Sequence, residues 1–162
     1  MSNNAVVVCT WGEERGGLPG GAEEVLTLAN QLSQSLGADL NWLTLGASAS
    51  GIAETAAAFG VARVQQIEDA KLEGMPADAT VEALAQYCAA SSPRVILFSQ
   101  GAATRTIAPR LAGRIGSAVV MNVTEVAAER SSLEVTAAAY GGDTRSLYVL
   151  AGEGTQGISV TA

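Results

Sequence analysis

Ala5–Trp11 (AVVVCTW), the loop at 12–21 (GEERGGLPGG), Ala22–Leu36 (AEEVLTLANQLSQSL) and Asp39–Leu45 (DLNWLTL) decide how this chain folds. The first segment is a short, β-branched apolar run of the kind that forms a central strand. In the third, Val25, Leu28, Ala29, Leu32 and Leu36 fall on one helical stripe, and Glu23 and Glu24 sit at the positive end of the helix dipole. Gly37 then closes the helix, and a second apolar strand follows. Strand, helix, strand in that order implies a right-handed parallel crossover.

Working outward, Ile52–Phe59 reads as a second helix stopped by Gly60, Arg63–Ile67 as a third strand, and 70–76 as an irregular connection. Ala79–Ala90 forms a third helix that Pro93 prevents from continuing, and Arg94–Ser99 (RVILFS) is the fourth strand. A helix over Ala103–Ile115 comes next. Pro109 inside it costs about 3 kcal/mol if truly interior, which predicts either a kink or a helix beginning near the proline. Ala118–Val126 is the fifth strand, Leu133–Ala139 and Arg145–Leu150 form a hairpin around 140–144, and Ile158–Val160 is a last short strand. The expected architecture is α/β: three layers, a mostly parallel open sheet between helices, extended by an antiparallel hairpin. With no internal repeat and no low-complexity linker, residues 1–162 read as a single domain.

Composition agrees with this and narrows the function. Of 162 residues, 48% are hydrophobic but only 4% aromatic, so Ala, Val, Leu and Ile must build the interior. A formal charge of −7 without any Lys/Arg cluster argues against nucleic acid and anionic membranes as partners. Arg105, Arg110 and Arg114 are the densest positive group, and their spacing puts them only partly on one helical face. No leader-like start and no run of about 18 apolar residues occurs, so a cytoplasmic protein without membrane insertion is expected.

Histidine is absent, which removes the usual general base and the commonest metal ligand. Together with the lack of a nucleophile motif, this argues against an enzyme acting alone. Cys9 and Cys88 lie in an apolar strand and a helix without C-x-x-C spacing, and read as buried thiols. Glu23 and Glu24 are helix starters before they are a catalytic pair.

In an open parallel sheet, ligands bind beyond the carboxyl ends of the strands where strand order reverses, here between the first and fourth strands. That places Thr10, Trp11 and Gly12 opposite Ser99, Gln100, Gly101, Thr104 and Arg105. Backbone N–H groups after Gly101 can face an anion, and Arg105 can add a charge-assisted bond to phosphate or carboxylate. The weak nucleotide or partner site is therefore Thr10, Gly12, Gln100, Gly101 and Arg105. Turn and capping duty is the plainer reading of Gly101 and Thr104, since S-Q-G-A-A-T-R matches neither a P-loop nor a dinucleotide fingerprint. Gly16–Gly17 and Gly20–Gly21 read as a flexible surface connection, and Trp11 and Trp42 as core or interface aromatics.

Pro93–Val126 (PRVILFSQGAATRTIAPRLAGRIGSAVVMNVTEV) resembles the electron-transfer flavoprotein alpha pattern, in which an apolar strand precedes G-A-T-x-x-G-R-D-L-A-P-R-L-A-A-R-L and then a strand ending in D-V-T. Arg105 falls on the first arginine of that pattern and Ala108–Ala112 on its A-P-R-L-A core. Glu23–Ala29 resembles T-x-E-L-L-T-A-A, and Tyr140–Asp143 resembles R-x-x-Y-x-G-N. Departures are Ala137 for the arginine, Asp143 for the asparagine and Thr106 for the aspartate after Arg105.

The resemblance implies a fold shared with adenine-nucleotide-binding (adenine nucleotide alpha hydrolase-like, Rossmann-like) domains. In such proteins FAD is held mainly by a second, C-terminal domain. This chain, similar to the N-terminal domain alone, is therefore expected to be a non-catalytic scaffold or docking component. FAD would sit in the complex and not on this chain by itself. The implied partners are a beta-like subunit or a separate FAD-binding domain, and a dehydrogenase, with the hairpin near Tyr140 as the contact surface. The alternative is a stand-alone adenine-nucleotide-binding module taking ATP or AMP.

Overall fold

The computed structural model describes residues 4–11, 17–46, 50–129, 132–152 and 154–160. Along the chain run β1 (Ala5–Trp11), α1 (Ala22–Leu36), β2 (Asp39–Leu45), α2 (Ile52–Ala58), β3 (Arg63–Ile67) and a 3-10 turn at Ala70–Leu72. They are followed by α3 (Ala77–Ser91), β4 (Val95–Phe98), α4 (Ala102–Ile115), β5 (Val119–Glu129), β6 (Ser132–Ala139), a second 3-10 turn at Tyr140–Gly142, β7 (Thr144–Leu150) and β8 (Gln156–Val160).

The eight strands form one sheet in the order β3-β2-β1-β4-β8-β5-β6-β7. From β3 through β5 every neighbouring pair is parallel; β6 and β7 join antiparallel. The alternation of β1 shows why both faces must be covered. Val6 and Val8 pack with Leu26, Ala29 and Leu32 of α1 and Ile52 of α2, whereas Val7 and Cys9 pack with Leu84 of α3 and Ile107 and Leu111 of α4. Both sets are buried, so the strand reads as a continuous apolar run.

Trp42 lies wholly inside the α1 side of this core, and its indole Nε1 donates to Thr10 Oγ1 at 2.9 Å. A buried indole N–H needs such a partner. Trp42→Phe leaves the buried Thr10 hydroxyl without its donor and is expected to lower unfolding free energy by about 1–3 kcal/mol in urea. The double change with Thr10→Val should recover part of that loss.

Helix α4 runs from Ala102 to Ile115 with Pro109 inside it, so of the two arrangements expected it is not the one that begins at the proline; buried Thr104, Ile107 and Ala108 lie in its first turns. Two features differ from the sequence expectations. Strand β5 continues to Glu129, past Val126, with register shifts on both edges between Val120 and Glu125. The last strand begins at Gln156 and lies inside the sheet, paired in parallel to β4 and β5.

The hairpin keeps an unbroken register from Leu133↔Leu150 to Ala139↔Thr144. Its turn places Tyr140 (φ 49°), Gly141 (72°) and Gly142 (100°) in the left-handed region, which is strained for tyrosine and easy for glycine. The apolar surface there is exposed: Tyr140 85%, Leu147 63%, Val149 58% and Tyr148 46%. Strand β7 is also an edge of the sheet.

Candidate functional site

Strand order reverses direction between β1 and β4, since the chain builds leftward to β3 and then crosses back. At their carboxyl ends lies a cleft of about 380 Å³, lined by Trp11, Pro19, Gly20, Ser99, Gln100 and residues 101–104. Two larger grooves, of about 480 and 490 Å³, run along α3 away from this switch point.

Each element delivers its lining residue for a local reason. Trp11 ends β1 and its ring sits 6.2 Å from that of Phe98, tilted by 33°, so Phe98 at the end of β4 props one wall. Thr104 is fully buried in the first turn of α4 and its Oγ1 donates to the Ser99 carbonyl at 2.7 Å, which closes the Ser99–Thr104 turn. Gly101 caps α4 in an extended conformation (φ −176°), with no side-chain cap over the helix start.

The structure brings only some of the sequence-predicted residues together. Gln100 and Gly101 line the cleft. Thr10 does not; it is buried, and its hydroxyl accepts the Trp42 bond on the α1 side of the sheet. Gly12 lies outside the described residues. Arg105 is exposed on α4, outside the cleft lining.

The arginine group separates by role. Arg110 pairs with Asp78, and Arg114 with Glu82 at 3.4 Å, joining α4 to α3 on an exposed surface where each pair contributes at most about 1 kcal/mol. Arg105 makes no ion pair among the described residues. It stands in the first helical turn, where the dipole disfavours a cation.

Sequence reasoning missed Asn122, which does not line the cleft but bonds to its wall residue Gln100. It adopts φ 57° where β5 shifts register, and its Oδ1 accepts from Gln100 Nε2 at 2.7 Å. The signal was present: an asparagine inside the apolar run VVMNV is the residue type that tolerates a left-handed bulge.

Both cysteine thiols are buried in the core on the α3 and α4 side of the sheet. Burial pushes the Cys88 thiol up to about 11 and Cys9 higher still, with the nearby Cys88 adding to the rise at Cys9. Both thiols are therefore neutral at physiological pH. Because the folded state holds these protons more tightly than the unfolded chain, stability is fully present below about pH 9 and falls as pH rises from there through about 11. Urea midpoints should be flat from pH 6 to 8 and decline above 9, and Ellman's reagent should label neither thiol before unfolding. Among the described residues no cluster of His, Cys, Asp and Glu is arranged to hold a metal ion, and no helix is long and apolar enough to cross a membrane.

Comparison with known proteins adds a family. The model of the electron transfer flavoprotein domain matches residues 8–161, nearly the whole chain. A search of curated proteins returns no match.

Proposed function

Because the chain belongs to the electron transfer flavoprotein domain family, we propose that it acts as an alpha-subunit-like scaffold and docking component of a flavin-dependent electron-transfer complex. It is not a catalyst on its own, and it works in the cytoplasm. FAD is held mainly by a partner chain, either a beta-like subunit or a separate FAD-binding domain, and the scaffold shapes the approach of a dehydrogenase.

One observation carries this reading: the hairpin leaves Tyr140, Leu147, Tyr148 and Val149 open to solvent on an edge of the sheet. Leu147 and Val149 stand on one face of this edge strand and Tyr148 on the other, and exposed apolar side chains along a sheet edge mark contact surfaces. The exposed Glu125–Arg145 pair supplies a polar margin, as interfaces commonly have. The cleft of about 380 Å³ lies near the lower end of pockets that enclose drug-sized ligands, which supports a reading in which the flavin dinucleotide is held mainly elsewhere. Co-expression with the flavin-bearing chain followed by sedimentation velocity tests the reading. A discrete heteromeric species supports it; two independently sedimenting chains refute it.

A second reading rests on the cleft itself. Gln100, Gly101 and Trp11 offer an amide, an uncapped helix start and a ring to a single nucleotide such as AMP. Ligand at 100 times its dissociation constant adds about 2.7 kcal/mol of stability. Absence of any thermal shift at millimolar AMP and ATP removes this reading.

A further inference from the structure

The position of β8 carries a consequence that goes beyond docking. Strands β4 and β5 do not pair with one another; β8 lies between them and supplies the hydrogen-bonded link. Its register runs Val95↔Gln156 to Phe98↔Ser159 on one side, and Val119↔Gly157, Val120↔Ile158 and Val123↔Val160 on the other.

The entry to β8 is latched from both neighbours. Gln156 N donates to the Arg94 carbonyl and Gly157 N to the Ala118 carbonyl, each at 2.9 Å. Thr155 Oγ1 donates to the Pro93 carbonyl at 2.6 Å, and Ser117 Oγ donates to the Thr155 carbonyl. Ile158 is fully buried in the same core as Val123, Leu133 and Val135. The connection before β8 contains Gly152 and Gly154 at φ 128° and 107°, backbone that glycine adopts readily.

The Gln100–Asn122 bond at the cleft and the hairpin both depend on the width of this one strand. Two strand spacings separate β4 from β5, about 9.6 Å. Across that gap the Gln100–Asn122 bond closes at 2.7 Å. Among the described residues the hairpin, in turn, joins the sheet only through β5. If β8 leaves, β4 and β5 each lose a ladder and the distance between Gln100 and Asn122 is no longer fixed. The closure is also non-local: Thr155 meets Pro93 across 62 residues of chain, which makes it slow to form.

We propose that β8 is a keystone, coupling the Gln100 wall of the switch-point cleft to the hairpin so that both order and loosen as one unit distinct from β1–β3, with the Trp11 wall staying with β1. Helix α1, which packs on both β1 and β5, keeps the two halves together while the unit opens. A ligand that holds the hairpin thereby also steadies the Gln100 wall of the cleft. The coupling is a property of the lone chain and stands whether or not the docking reading does.

Native-state hydrogen exchange on the full chain tests it. The amides of Ile158, Val123, Leu133 and Val135 are expected to share one opening constant, with protection at least tenfold below that of Val7 and Leu43. Ile158→Val should lower the protection of that first set by a common factor of about 2 to 12. Leu43→Val should lower protection at Val7 and Leu43 and leave the first set unchanged. Two results overturn the proposal: a single constant for all six amides, or Ile158→Val speeding exchange at Ile158 without changing Leu133 and Val135.

Discussion

Changing Leu147 and Val149 together to lysine is expected to abolish assembly with a flavin-bearing partner chain while leaving the unfolding midpoint of this chain almost unmoved. Both side chains are exposed neighbours on one face of β7, opposite Thr136 and Glu134 of β6, so neither helps to close the core. Exposed substitutions of this kind change stability by no more than about 0.5 kcal/mol. Where one of them is a hot spot of the interface, its loss costs about 2 kcal/mol or more, and a buried lysine adds an unpaired charge. Weakening by at least about 30-fold is therefore the minimum expected, measured by titration calorimetry against the partner. Unchanged affinity would place the interface elsewhere on the molecule.

Phe98→Ala is expected to produce the largest loss of stability among single changes near the cleft. Phe98 is fully buried at the end of β4, packs with Leu111 and Ile107 of α4, and supports the Trp11 ring at 6.2 Å. Removing such a ring costs about 3–5 kcal/mol, because the lost transfer energy is joined by a cavity that its neighbours cannot fill. Against a total stability of about 5–15 kcal/mol for a domain, that is a large fraction. Urea unfolding followed by tryptophan fluorescence measures the loss, and Trp11, left without its prop, should shift its emission in the folded baseline. Phe98→Leu keeps most of the volume and should cost less than about 1.5 kcal/mol.

The layered α/β architecture was legible because its signals are local. Apolar runs without alternation mark β1, β2 and β4 as strands buried on both faces, and Gly37 ends α1 with its left-handed φ of 57°. The hairpin was legible from its turn residues. What could not be read locally is which strands become neighbours. The parallel ladders of β8 with β4 and β5 involve residues about 40 to 60 positions apart, and nothing in QGISV encodes that slot. The site was legible in part for the same reason. Its location follows from the rule for open sheets, but the orientation of Thr10 depends on Trp42, a residue on the adjacent strand. Asn122 meets Gln100 through a bulge that its residue type marks but the apolar periodicity of β5 does not.

The direct test of the central claim is equilibrium dialysis of the purified chain, alone and with its partner, against FAD. The account expects the isolated chain to remain colourless and free of flavin at micromolar FAD, and the complex to carry flavin in stoichiometric amount. A yellow isolated chain holding one FAD per polypeptide through gel filtration would contradict it.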